Sequence, residues 1–321
     1  MGQRIIRFLD KENQVRWGCV NADESVGLLA IQPSTLCELV QQQKEWFLKV
    51  SKTYDSWKNL KLLAPVTSPC QVVCQGKNYL DHILETGVNP KDKDFNLLFL
   101  KASSSLAAAI GEACKPAKVE LFDYELELAL VIRKPIPQGT QIDSKNIFEF
   151  VSGLVMANDL SARDVQIPER QWFKGKSYRG FCPVGPWIWF WEADEVPLLK
   201  DLQLELSLNG AVRQRASTKQ LIHSPEATLT EISGIFDLWS GDILLTGTPG
   251  GVAMKVKSKT FEEEFLQLRL SEKEKFSLFI SGQKKSDRYL KVGDEIRSTI
   301  RSNDGKLDLG EQCLVVKGLT P

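Results

Sequence analysis

The stretch DYELELALVI, residues 123–132, places acidic residues inside an otherwise apolar run. This alternation predicts a β-strand, because successive side chains of a strand leave opposite faces of the sheet. Glu125 and Glu127 would then lie on one face, and Leu126 and Leu128 on the other. Two carboxylates would share one small volume, where a cation or solvent must separate their charges, since otherwise one of them would take up a proton.

A second stretch, GLVMANDLSARD at residues 153–164, predicts another strand that ends at Asp159, where a polar turn begins. Three carboxylates at Glu125, Glu127 and Asp159 suit Mg²⁺, Mn²⁺ or Ca²⁺ better than Zn²⁺. The chain has only two histidines, which excludes a histidine-rich zinc site. Spacing alone leaves another interpretation open, because an alternating Glu pair on a strand is more often part of a solvent-exposed face.

Strand patterns dominate the rest of the chain, and helical patterns are fewer. Helices are predicted within residues 34–60, with Ser34 as the cap, and within residues 79–85, 143–148 and 225–238. The chain is therefore predicted to be α+β and β-rich, with helices at the periphery of the sheets.

Three segments are predicted along the chain. Residues 1–65 would form a small N-terminal subdomain and residues 66–321 the main domain. Within the main domain, residues 255–290 are the most charge-dense part and are expected to be a solvated insertion.

Composition limits the classes of partner and compartment. The 41 basic residues balance the 41 acidic residues, so no net charge would attract nucleic acid. No apolar run of about 18 residues predicts a membrane span, and the first residues lack a secretory signal, so a cytoplasmic protein is expected. Seven cysteines, an odd number without CxxC pairs, indicate reduced thiols.

Several motifs follow one another in a specific order. They are GKNYLDHILE (76–85), FLKASSS (99–105), DYELEL (123–128), NDLSARDVQ (158–166), GKSY (175–178), NGAVRQ (209–214), GDILLTGTPGGV (241–252) and KVGD (291–294). With these motifs the chain resembles the fumarylacetoacetate hydrolase superfamily over nearly all of residues 66–312. The resemblance implies a mixed β-roll or barrel-like core, a Mg²⁺ or Mn²⁺ ion, and usually a homodimer. It also implies small oxo-acid substrates, namely 2-oxo or 1,3-dicarbonyl carboxylic acids.

The resemblance also implies roles for individual residues. Glu125, Glu127 and Asp159 match the metal ligands of the family. His82 and Glu85 match a dyad that acts on a water molecule, and their spacing of three residues places them on one helical face. Lys176 would stabilise an enolate as its charge develops. The residues that match substrate-binding positions are Lys101, Arg163, Gln166, Thr246, Gly247 and Thr248.

Three functions remain open at this point. The first is hydrolysis of a C–C bond in acylpyruvate-type substrates, or decarboxylation of oxaloacetate-like acids, through a metal-bound enolate. The second is isomerisation or hydration of unsaturated oxo diacids from aromatic catabolism. The third is a non-catalytic metabolite-binding protein. The long charged insertion before Lys291 departs from the family pattern, as does the absence of an additional aspartate ligand upstream of His82, and the latter favours the small-substrate branch.

Overall fold

The computed structural model describes residues 2–42, 53–85, 95–255 and 271–319, without the side chains of Ile83 and Glu85. The strands are β1 Gln3–Leu9, β2 Val15–Val20, β3 Val26–Leu28, β4 Thr53–Tyr54, β5 Lys61–Leu63, β6 Val72–Gly76, β7 Leu97–Lys101, β8 Leu106–Ala108, β9 Ile110–Pro116, β10 Phe122–Asp123, β11 Leu126–Ile132, β12 Val151–Asn158, β13 Ser161–Ala162, β14 Cys182–Val184, β15 Ile188–Phe190, β16 Leu202–Leu208, β17 Ala211–Ser217, β18 Ile243–Leu245, β19 Glu295–Ser302 and β20 Asp308–Leu319. The helices are α1 Leu36–Gln41, α2 Leu80–Glu85, α3 Ile147–Phe150, α4 Arg163–Glu169, α5 Trp172–Lys176, α6 Pro225–Ser233 and α7 Glu272–Gln283.

Two large mixed sheets form the body of the described chain. The main path of the larger sheet runs β4-β3-β2-β1-β15-β12-β11-β18-β6-β7, and the second sheet runs β17-β16-β19-β20-β9. Most neighbours are antiparallel, whereas β18 pairs with β6, and β20 with β9, in parallel. The short strands β10 and β13 pair with each other beside the larger sheet. The prediction of a β-rich α+β fold with a mixed core is confirmed.

Strand β11 lies inside the molecule, with every residue buried. Leu126, Leu128 and Leu130 pack into one apolar cluster, whereas Ala129 and Val131 pack into another. The strand is therefore covered on both faces, and each buried leucine contributes about 1.5–3 kcal/mol relative to an exposed one. The alternative that the acidic residues form a solvent-exposed face is wrong, because two core clusters enclose the strand that carries them.

The N-terminal strands are hydrogen-bonded to the larger sheet. Strand β1 pairs antiparallel with β15, with Ile5 opposite Ile188. Leu36 and Leu39 of α1 pack into the same apolar cluster as Val72. Strand pairing and packing join residues 1–65 to the rest of the chain, and their independence as a subdomain stays a prediction.

The predicted helix over residues 34–60 is wrong in its extent. Helix α1 ends at Gln41, and its cap is Thr35, whose hydroxyl accepts the backbone N–H of Glu38 at 3.2 Å. Residues 43–52 lie outside the described chain, β4 follows at residues 53–54, and residues 57–59 form a single 3₁₀ turn. Trp57 packs edge-on against Trp187 with ring centroids 5.2 Å apart, so tertiary contacts rather than helical periodicity fix this segment.

Two other helices differ in their bounds from the prediction. The helix predicted at residues 143–148 forms at residues 147–150, and the one predicted to end at Leu238 ends at Ser233. Part of the charged insertion is helix α7, capped by reciprocal hydrogen bonds between Ser271 and Glu274, whereas residues 256–270 lie outside the described chain.

Other sequence predictions concern the thiols and the membrane. All seven cysteines are free of disulfides. In the described ranges, every helix is too short or too polar to cross a membrane.

Candidate metal centre and active site

The three predicted ligands converge at the start of β11 and the end of β12. One potential ligand atom from each of Glu125, Glu127 and Asp159 lies within 4.8 Å of the others, and all three residues are buried. The strand register explains the convergence, because Leu126 of β11 lies opposite Asn158 of β12. The backbone N–H of Asp159 donates to the carbonyl of Glu125 at 2.7 Å, which fixes the two ligands side by side.

Buried cations surround this triad. The Lys176 ammonium lies 2.6 Å from both Glu125 Oε2 and Asp159 Oδ2. Lys101 contacts the other oxygen of Asp159 at 2.5 Å, and it also donates to the carbonyls of Leu160 and Phe181. These contacts place two ammonium groups against Glu125 and Asp159 in a part of the molecule that is shielded from solvent.

The two carboxylate oxygens of Glu127 differ in their hydrogen bonding. Glu127 Oε2 accepts the backbone N–H of Gly247 at 2.8 Å, whereas Glu127 Oε1 is buried and has no hydrogen-bond partner among the described residues. A buried polar atom without a partner costs about 1–3 kcal/mol, and more when it is charged. Oxygen ligands of this kind fit a hard divalent cation, which would give Oε1 the partner that it lacks.

The pKa values of Glu125 and Glu127 are shifted in opposite directions. Burial alone raises the pKa of Glu125, but the charges of Lys176 and Arg163 outweigh it and hold that pKa below its ordinary value. Burial, Asp159 and Glu125 together raise the pKa of Glu127 well above its ordinary value. Glu127 is therefore the ligand whose ionised form most needs a cation.

The predicted dyad lies on helix α2. His82 is buried, and its charge lowers the pKa of Glu125, so the imidazole lies within electrostatic range of the triad. Glu85 is at the end of the same helix, and its side chain lies outside the described part of the structure, so the dyad stays a prediction. Tyr79, immediately before α2, is fully buried, and burial and the Glu127 charge raise its pKa.

The predicted substrate loop follows β18 and is tied to β11. The hydroxyls of Thr246 and Thr248 donate to the carbonyls of Leu128 and Leu126 at 2.9 and 3.0 Å. Gly247 has φ +90°, and a Cβ there would lie 2.8 Å from the Cβ of Asn78. Only glycine therefore allows the backbone to bring its N–H to Glu127. Substrate contacts from this loop stay a prediction.

The other predicted substrate residues are also buried at the site. Arg163 Nη2 lies 2.5 Å from Glu125 Oε1, and Arg163 Nη1 donates to Gln166 Oε1 at 2.8 Å. Lys101 has no exposed side-chain surface. Lys101 and Arg163 thus contact carboxylates of the triad, and Gln166 is joined to the triad through Arg163. Contacts of these residues with substrate stay predictions.

Asp123 was missed as a site residue. It is fully buried and binds Arg163, the same guanidinium that contacts Glu125. The sequence held a signal for it, because Asp123, Glu125 and Glu127 alternate along one extended stretch.

A comparison with known protein families identifies the family of this chain. The family model "Fumarylacetoacetate (FAA) hydrolase C-terminal" matches residues 71–316. The chain belongs to the fumarylacetoacetate hydrolase family, which is a family of enzymes. The buried triad gives it a candidate divalent-cation site.

Particular relatives differ in their names. The mitochondrial oxaloacetate tautomerase Fahd2a of Rattus norvegicus is 37% identical over 201 residues, which are 62% of this chain and 62% of that protein. A protein of Mycobacterium tuberculosis, Rv2993c, is 39% identical over 203 residues, or 61% of this chain and 72% of that one. The chain thus spans less than two thirds of the length of the rat relative.

Two solved structures share the whole fold. The fumarylacetoacetate hydrolase of Exiguobacterium antarcticum is 29% identical, with a TM-score of 0.76 over 99% of this chain and 100% of that chain. A probable 2-hydroxyhepta-2,4-diene-1,7-dioate isomerase from Mycobacterium abscessus is 27% identical, with a TM-score of 0.72 over all of both chains.

Proposed function

We propose that this chain is a Mg²⁺- or Mn²⁺-dependent enzyme that interconverts the enol and keto forms of 2-oxo dicarboxylic acids of the oxaloacetate type. The observation that carries the proposal is Glu127 Oε1, a buried carboxylate oxygen without a hydrogen-bond partner inside a triad of oxygen ligands. The name of the rat relative, oxaloacetate tautomerase, supports the substrate, and the isomerase from M. abscessus supports proton transfer as the reaction class.

The charge balance of the site supports an anionic substrate. Four buried carboxylates, the triad and Asp123, face three buried cations, Lys101, Lys176 and Arg163. Counted with all four carboxylates ionised and with His82 neutral, the cluster carries one excess negative charge, which a divalent cation would turn into one excess positive charge. Because an uncompensated buried charge is costly, a cation-loaded site favours a substrate that brings carboxylates.

The proposed chemistry needs a cation and a proton carrier. A bound divalent cation supplies Lewis acidity, which polarises a carbonyl group and stabilises negative charge on its oxygen. The Lys176 ammonium would stabilise the same negative charge, because Glu125 and Asp159 hold it at the triad. His82 is the titratable group near the triad that we assign to proton transfer.

The reaction is balanced as an isomerisation. In the direction from keto to enol, one proton leaves the carbon next to the 2-oxo group and one proton arrives on the oxygen. The reverse direction restores the C–H bond. No C–C bond breaks, and no water is consumed.

The test follows the enol of oxaloacetate by its ultraviolet absorbance, while released pyruvate and CO₂ are assayed in parallel. We expect Mg²⁺ or Mn²⁺ to accelerate enol loss without release of pyruvate, and exhaustive chelation to return the rate to that of buffer. His82→Asn should slow the reaction by roughly 100-fold, the lower range for a positioned acid or base. Glu149→Gln, a change at an exposed carboxylate, is the matched control. Full activity after chelation would refute the proposal.

A second candidate is C–C bond hydrolysis or decarboxylation through the same enolate. The position of His82 near the triad favours it, since an imidazole there could activate water, and so does the likeness to the E. antarcticum hydrolase. Stoichiometric release of pyruvate from acylpyruvates or oxaloacetate, faster than enol loss, would favour this candidate over the tautomerase. The homodimer expected from the family resemblance also stays a proposal, and sedimentation of the purified chain tests it.

A further inference from the structure

We infer that Asp123 is a positioning residue that fixes the ligand Glu125 and the base of the charged insertion as one unit. The inference rests on the proposed function, because it concerns how the proposed cation site is held. Unlike Glu127, Asp123 accepts hydrogen bonds from protein N–H groups at both of its carboxylate oxygens. It therefore holds other groups in place and leaves no oxygen for an ion.

The hydrogen bonds of Asp123 connect it to two groups, the backbone of nearby residues and the side chain of Arg163. Oδ1 accepts the backbone N–H groups of Tyr124 and Ala253, both at 2.8 Å. Oδ2 accepts Arg163 Nε at 2.9 Å and the backbone N–H of Met254 at 3.1 Å, and it also lies 2.8 Å from Arg163 Nη2. One carboxylate thus binds an arginine on one side and a backbone loop on the other.

The arginine side leads to the proposed cation site. The guanidinium of Arg163 is planar and rigid, so fixing Nε and Nη2 against Asp123 also fixes the direction of its other bonds. Nη2 lies 2.5 Å from Glu125 Oε1, which commits that oxygen to the arginine. Glu125 Oε2 is left facing Lys176 and the triad. Asp123 thereby sets which oxygen of Glu125 is offered to a cation.

The loop side leads to the insertion. Residues 251–255 bear the two N–H groups that Asp123 accepts, and Tyr124 Oη donates to the carbonyl of Gly251 at 3.2 Å. Arg288 donates to the same carbonyl at 2.7 Å, and Gln283 at the end of α7 donates to the carbonyl of Lys255 at 2.8 Å. Helix α7 and the segment after it are therefore joined to Asp123 through one short loop.

These contacts form a continuous path from α7 through the loop 251–255, Asp123 and Arg163 to Glu125. Spatial continuity alone does not demonstrate coupling between two sites. The affinity for the cation and the hydrogen exchange of the loop are therefore measured in separate experiments.

The first experiment measures Mn²⁺ binding to the full chain by titration calorimetry. Asp123→Asn keeps the shape and one acceptor oxygen but removes the charge that holds Arg163. We expect it to weaken Mn²⁺ binding about 10- to 100-fold, the usual range for residues that orient metal ligands. Arg163→Lys should produce a similar loss, since it keeps the charge but not the fork. The double variant should lose little more than either single one, because both changes break the same link.

Asp194→Asn, at an exposed aspartate, is the control. If Asp123→Asn binds Mn²⁺ within about twofold of the parent chain, the inference is wrong while the proposed function stands. If the parent chain itself binds no Mn²⁺, the proposed function fails. Arg163→Lys keeps the test open if the asparagine variant does not fold.

The second experiment measures hydrogen exchange at the amides of Ala253 and Met254. Mn²⁺ binding to the parent chain should slow their exchange, because a fixed Glu125 fixes Arg163 and Asp123 in turn. The effect should disappear in Arg163→Lys, whose Asp123 is intact but no longer linked to Glu125. Exchange that is insensitive to Mn²⁺ in the parent chain would overturn the link to the loop.

Discussion

A buried carboxylate lies near each end of strand β18, Asp242 at its start and Glu127 beyond its other end, and the two differ in their hydrogen bonding. At the start of the strand, Asp242 accepts the backbone N–H of Gln71 at 2.7 Å and that of Trp239 at 2.8 Å, and the Gln71 side chain adds a third bond. Beyond the other end, Gly247 donates to one oxygen of Glu127, and the second oxygen has no hydrogen-bond partner in the described chain.

The difference separates a structural carboxylate from a proposed functional one. N–H donors satisfy both oxygens of Asp242, so its hydrogen bonds join the start of β18 to the residues around it, although burial raises the pKa of this carboxyl. Glu127 lies beside two further carboxylates and keeps one oxygen open, an arrangement that costs free energy unless a cation binds. Removing Glu127 should therefore lower activity, whereas removing Asp242 should lower stability. Two predictions test this difference, and a third tests the loop that follows β18.

The largest effect is expected at the open carboxylate. Glu127→Gln removes one charged oxygen ligand and should lower the enol–keto activity at least about 1000-fold, because the cation contributes several kcal/mol to stabilisation of developing charge. The melting temperature of the cation-free protein should not fall, since the variant removes a carboxylate that is destabilised by burial and by like charges. Activity assays and thermal unfolding in chelator check the two parts. Wild-type activity in this variant would mean that Glu127 is not a ligand.

The second effect is on stability and concerns Asp242. Asp242→Ala leaves the backbone N–H groups of Gln71 and Trp239 without their acceptor, which should cost on the order of 3 kcal/mol of unfolding free energy. Urea denaturation measures this loss. The affinity of the folded variant for Mn²⁺ should match that of the parent chain, and a weaker affinity would show that the two ends of β18 are coupled.

The smallest effect is expected at Thr246. Its hydroxyl donates to the carbonyl of Leu128, so Thr246→Val should cost about 1 kcal/mol of unfolding free energy. If the hydroxyl serves only this bond, KM for oxaloacetate stays unchanged. A clear rise in KM with little change in kcat would instead show that Thr246 also contacts the substrate, as the family resemblance implies.

The fold was predictable in its strands more than in its helices. The alternating stretch at residues 123–132 carries a local signal, and a strand forms there over Leu126–Ile132. The Asn–Gly pair at residues 209–210 is also a local signal, typical of a hairpin turn, and it joins β16 to β17 with positive φ at both residues. The helix predicted within residues 34–60 forms over Leu36–Gln41 but not over residues 53–60, where Trp57 packs on Trp187, a residue far away in the sequence. Periodicity contains no information on such a partner.

The site was partly predictable in the same sense. Motif order predicted the triad, His82 and Lys176, and in the structure Lys176 contacts two of the triad carboxylates. It did not reveal Asp123, whose backbone partners Ala253 and Met254 lie 130 and 131 positions further along the chain. It also did not show that the hydroxyls of the loop after β18 are committed to the backbone of β11.

By itself, the sequence determined the alternation of Glu125 and Glu127 on an extended segment, the turn at Asn209–Gly210 and the order of the family motifs, because these are local properties of the chain. Only the tertiary structure decided that both faces of β11 are buried, that Asp159 lies next to Glu125, and that Glu127 keeps an open oxygen. The physical reason is that burial and hydrogen bonding depend on what packs against a residue, and for this site the packing partners come from β12, α5 and the loop after β18.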